Sequence, residues 1–89
     1  MVVIKRLVLD ILKPHHPNVL EFSRALAEHG HVRVKLTVLE MDDQTETLQV
    51  VVEGDDIDFE RIQGAIADLG GSLHSVDEVE VEGRPEPSG

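Results

Sequence analysis

Histidine and carboxylate are the side chains here with the most chemistry in them, and they gather in a few places. His15 and His16 stand in the run Lys13-Pro14-His15-His16-Pro17-Asn18, His74 comes near the end, and Asp42-Asp43 and Asp55-Asp56-Ile57-Asp58 form two acidic runs. Imidazole with carboxylate suits zinc, nickel or copper, whereas carboxylate oxygens alone suit calcium or magnesium. Asp42, Asp43, Asp55, Asp56, His15 and His74 are therefore the candidate metal ligands. With 18 acids against 5 histidines, calcium is the favoured ion. Two observations weigh against it. Neither acidic run has EF-hand spacing, and adjacent histidines in a turn do not share one ligand face as a pair at i and i+4 does. Solvated turn residues and complements to helix dipoles explain the same residues more plainly. No cofactor is expected beyond the possible calcium.

Asp10 is the remaining oddity, an acid inside the apolar run Leu7-Val8-Leu9-Asp10-Ile11-Leu12. An unpaired carboxylate buried in a strand is costly, so it must be wet or paired. Catalysis by such an acid needs a pocket and a second positioned group, and the sequence offers neither. The protein is expected not to be an enzyme. By parity Arg6, Asp10, Arg33 and Lys35 fall on one sheet face, where a second subunit would supply ion-pair partners.

The elements that position these residues follow from periodicity. Val3, Leu7, Leu9 and Ile11 alternate through a strand that Pro14 and Pro17 end. Asn18 caps a helix to His29, with Glu21 three residues on and Gly30 as the stop. Val32, Val34, Leu36 and Val38 alternate in a second strand, Met41 to Thr45 turns, and Leu48, Val50 and Val52 alternate in a third up to Gly54. Asp58 caps a second helix with Phe59, Ile62, Ile66 and Leu69 as its apolar stripe. Gly64 inside that helix suggests close packing. Gly70-Gly71 ends it, and Ser72 to Val81 makes the last strand, with a bulge expected near Asp77 because Val76, Val79 and Val81 break parity. The order βαββαβ defines an α+β fold, the ferredoxin-like two-layer sandwich with a four-stranded antiparallel sheet. Right-handed crossovers put strand one beside strands three and four. One domain spans 1–82, and 83–89 read as a flexible C-terminal tail.

Composition narrows function further. A chain of 89 residues carries one thin core, and its formal net charge of -10 repels phosphate backbones, so nucleic acid is not an expected partner. The sheet offers no aromatic platform for bases, because the only aromatics are Phe22 and Phe59, both on helix stripes. No apolar run approaches the roughly 20 residues of a membrane span, so no membrane partner is expected either. The start of the chain lacks a signal-peptide pattern, and Cys is absent, which fits a cytoplasmic protein without disulfides or thiol catalysis. An acidic, Lys-poor surface suits a halophilic source. Effector-binding regulatory domains share this topology and give an alternative, but the two-proline turn offers few free N–H groups to a ligand carboxylate.

Arg6-Leu7-Val8-Leu9-Asp10 with Leu12-Lys13-Pro14-His15, then Val52-Glu53-Gly54 with Asp58-Phe59, then Leu69-Gly70-Gly71 and His74-Ser75-Val76-Asp77-Glu78-Val79 together resemble the archaeal family called domain of unknown function 211. The resemblance implies a ferredoxin-like fold, an archaeal cytoplasmic protein and a homo-oligomer in the form of a closed ring. It implies no activity. Asp10, Lys13, Pro14, His15, His74, Asp77 and Glu78 match its motifs and are candidates for a shared site or a subunit contact. The expected interface set is thus Arg6, Asp10, Arg33, Lys35, Asp77 and Glu78, in a module with a structural or regulatory binding role.

Overall fold

The computed structural model describes residues 1–86. Its elements run β1 (Val2–Pro14), α1 (Val19–Gly30), β2 (Arg33–Met41), β3 (Thr45–Glu53), α2 (Phe59–Asp68) and β4 (Ser72–Gly83). The strands form one sheet in the order β2-β3-β1-β4, and every neighbouring pair is antiparallel. This is the ferredoxin-like sandwich that periodicity predicts.

Register explains the core. Leu7, Leu9 and Ile11 of β1 lie opposite Val52, Val50 and Leu48 of β3, which lie opposite Val34, Leu36 and Val38 of β2. Those rows bury one face of the sheet under Phe22 and Leu26 of α1 and Ile62, Ala65 and Ile66 of α2. Both helices start where capping chemistry allows: Asn18 accepts from the Glu21 N–H and Asp58 from the Arg61 N–H. Removing such a cap typically costs about 1 kcal/mol.

Four register slips reshape the sheet. β1 and β4 slip register around Lys5, His74 and Asp77, the last as the broken parity predicts. The slip at Lys5 turns Ile4, and not Val3, toward the helix-side cluster. A further slip in β2 falls at Leu39.

Two glycines differ from their sequence reading. Gly30 is helical, and the left-handed stop is His31 at φ 53°, so Gly30 serves space instead. A Cβ there would fall 2.5 Å from Cδ1 of buried Ile62, where the end of α1 meets α2. Gly64 packs against nothing: a Cβ would meet no atom within 4 Å, which removes the expected close contact. The last strand also runs further than Val81. Gly83 still pairs with Val2, and the Arg84 N–H donates to the Met1 carbonyl at 2.8 Å. Of the expected flexible tail, residues 87–89 lie outside the described residues.

Candidate functional site

The densest polar chemistry lies where β1 ends. Lys13 continues the inward parity of Leu7, Leu9 and Ile11, so its side chain enters the core end and is fully buried. Opposite it in register stands Glu46, 5 % exposed, on the inward parity of Leu48, Val50 and Val52. The ammonium donates to the carbonyls of Pro14 at 2.8 Å and Pro17 at 2.6 Å. Its third neighbour is Glu46 Oε1 at 2.7 Å, an ion contact off hydrogen-bond alignment that leaves this oxygen with no other partner. His15 completes the group, with Nδ1 3.4 Å from Glu46 Oε2 and Nε2 3.0 Å from the Asp42 carbonyl oxygen. The Lys13 contact holds the Glu46 carboxyl below its ordinary range, against desolvation that pushes it up and with help from His15. Chemically this is a charge lock: it ties the Pro14–Pro17 turn to β3 and to the hairpin tip.

The candidate metal ligands do not converge. Asp42 accepts from the N–H groups of Gln44 and Thr45 at 2.9 and 2.8 Å and from the Thr45 hydroxyl. These bonds depress its pKa, the Gln44 N–H foremost, and make it the organiser of the β2–β3 turn. Asp55 takes Lys5 Nζ at 2.7 Å and Arg84 Nη2 at 2.8 Å, and the Lys5 contact leads in lowering its pKa. Asp43 and Asp56 are exposed. His15 binds within the charge lock, and His74 Nδ1 meets Asp10 Oδ2 at 3.1 Å. Among the described residues no three His, Asp or Glu side chains are placed to share a metal ion.

The candidate interface residues separate into three places on the open sheet face. Arg6, central on β1, donates to Glu78 at 2.8 Å and lies 3.3 Å from Glu53, and the Glu78 bond leads in raising its pKa. Asp10, also central, finds its partner in His74, within the same chain. Arg33 and Lys35 stand on edge strand β2 and make no ion pair among the described residues. Asp77 and Glu78 stand on the opposite edge strand, β4, where Asp77 accepts from the Ser75 hydroxyl at 2.6 Å. A depression of about 200 Å³ on this face is lined by Asp10, Leu12, Thr47 and His74. That is below the usual size of a small-molecule site.

Lys13 with Glu46 is the pair that residue-type scanning misses. Its signal is parity: a Lys and a Glu each continue an alternating apolar row, and only cross-strand register reveals that they meet.

A two-layer βαββαβ sandwich with an open sheet face and a lysine–glutamate lock at the end of β1 defines an α+β ferredoxin-like module. Residues 5–84 match the family model of domain of unknown function 211, described as uncharacterized ArCR, and the chain belongs to that family. It is similar to an uncharacterized protein of the archaeon Methanocaldococcus jannaschii, 46% identical over 77 residues, which cover 85% of this chain and 79% of the relative. No helix is long and apolar enough to cross a membrane among the described residues.

Proposed function

We propose that the chain is a non-enzymatic, homo-oligomeric ferredoxin-like module with a structural or regulatory binding role. One observation carries the reading: large exposed apolar side chains concentrate on the two edge strands, with Val38, Leu39 and Met41 on β2 and Val76, Val79 and Val81 on β4. An edge strand exposes unpaired backbone donors and acceptors, and apolar side chains beside them favour strand addition by a second chain. The helices are too short to hide this edge: α2 has 10 residues, while β4 has 12. A thin aliphatic core also gains from assembly, because association adds buried apolar area that one small chain lacks.

Native mass spectrometry in volatile salt, with and without a chelator, tests this. A defined multiple of the 9.8 kDa chain is expected. A monomer at every concentration up to the highest attainable overturns the reading. Calcium-sized increments that the chelator removes together with the oligomer would move the weight to cation-linked assembly.

A further inference from the structure

We infer that one copy adds to the next by antiparallel pairing of its β4 edge with the β2 edge of a second copy, head to tail. The inference rests on the oligomeric reading above and names the surfaces that would make it. The partner is a second copy of this chain, selected by charge and by parity together.

Strand direction permits it first. Neighbours in the order β2-β3-β1-β4 are all antiparallel, so β2 and β4 run in opposite directions. A second copy placed in the same orientation therefore brings its β2 antiparallel to β4, and the alternation continues unbroken.

Charge selects it. On the open face, β2 carries Arg33 and Lys35, opposite Glu53 and Val51, while β4 carries Glu78 and Glu80, paired with Val8 and Arg6, and Glu82, paired with Val3. The first half of β2 is basic on this face, with Glu40 beyond the Leu39 bulge, and β4 is acidic from Glu78 to Glu82. Neither Arg33, Lys35 nor Glu80 makes an ion pair among the described residues. A twofold pairing of β4 with another β4 would oppose two acidic rows, which is unfavourable across a sheet. Charged edges ordinarily deter strand addition. Here the acidic β4 edge deters itself and accepts the basic half of β2.

Parity then fits both faces at once. With Glu80 opposite Lys35 of the next copy, Glu82 faces Arg33, and on the helix side Val81 faces Val34 while Val79 faces Leu36. Val34 and Leu36 already border the core of their own copy, and Val79 and Val81 are 56% and 54% exposed. A slip of two residues puts Glu80 opposite Arg33 and preserves the same sidedness, whereas a slip of one sets charge against valine. Such a contact is heterologous, and repeating it closes a ring or extends a filament.

Charge reversal with rescue tests this. Lys35→Glu sets an acid against Glu80 of the neighbouring copy, and Glu80→Lys sets a base against its Lys35. Each alone is expected to lose the oligomer at concentrations where the unmodified protein keeps it, with circular dichroism unchanged. Mixing the two, or combining both changes in one chain, is expected to restore assembly, which misfolding would not allow. Oligomers of unchanged size and concentration dependence in both single-edge variants overturn the edge pairing and leave the oligomeric reading standing. Loss in each variant without rescue in either format overturns it too. An unmodified protein that is monomeric overturns both.

Discussion

Lys5 and Lys13 belong to the same strand, and each holds a carboxylate oxygen at 2.7 Å. Distance makes the two pairs equal, and water makes them different. Around Lys5 the side chains are 28% and 79% exposed for lysine and Asp55, against 0% and 6% for Lys13 and Glu46. The first pair gains little, because solvent screens the attraction and competes for both groups. The second is held in a site that neither charge would enter alone. What separates them is parity and bulging: the slip at Lys5 lets its side chain reach the rim, while Lys13 inherits an inward position at the end of an apolar row.

The largest expected effect comes from breaking the buried pair on one side. Lys13→Met leaves Glu46 charged, buried and without its main partner, and urea unfolding should show a loss of about 3–5 kcal/mol. Glu46→Leu strands the ammonium in the same way. The double change Lys13→Met with Glu46→Leu should lose far less than the sum of the two, because both desolvation penalties vanish together. Additive losses would show that the two residues do not act as a unit.

Acid sharpens the same contrast. Glu46 has its folded-state pKa depressed below the ordinary 4.5, so its contribution is fully present above that value and disappears as pH falls through the folded pKa. Stability measured from pH 7 downward should therefore drop below about pH 4.5, and Glu46→Gln should flatten that drop while lowering stability at neutral pH. An equally steep acid limb in Glu46→Gln would assign the loss to other groups, of which Asp42 and Asp55 shift in the same direction.

Much of this molecule is legible in one reading of the chain, because strand parity, helix caps and breakers are local. Asn18 and Asp58 cap as their types predict, and Val76, Val79 and Val81 mark the Asp77 bulge. The partners of Lys13 and Asp10 are not local. Parity says that Lys13 points inward, but Glu46 reaches it only through the β1–β3 register, and His74 reaches Asp10 from a bulge in β4. The same limit applies to the acidic runs. Asp42 and Asp55 look like open ligands until backbone N–H groups and cations from elsewhere fill them. Arg33 and Lys35 on β2 and Asp77 and Glu78 on β4 stand on opposite edges, as the strand order expected from right-handed crossovers requires.

Glycine offers a smaller contrast of the same kind, between a filled and an open site. At Gly64 a methyl group enters empty space on a helix, so Gly64→Ala should stabilise by about 1 kcal/mol through propensity alone, read as a raised urea midpoint with unchanged slope. At Gly30 the added methyl meets the terminal carbon of Ile62 at 2.5 Å, and that buried side chain must move. Gly30→Ala should therefore gain less than Gly64→Ala or lose stability. Equal gains at both positions would mean that Ile62 shifts freely.

The smallest effect is expected at the rim. Asp55 accepts from Lys5 and from Arg84, so on a map of contacts it looks as well held as Glu46. All three groups remain in contact with water, and the two cations stay solvated when the carboxylate is gone. Asp55→Asn keeps the shape of the side chain and removes only its charge. Its urea midpoint at neutral pH should fall within experimental scatter of the unmodified protein, at low salt and in 1 M salt alike, where the Debye length is about 3 Å. A loss comparable to that of Lys13→Met, persisting in high salt, would mean that the Lys5–Asp55–Arg84 cluster is shielded from solvent. Burial would then no longer separate the two ends of β1.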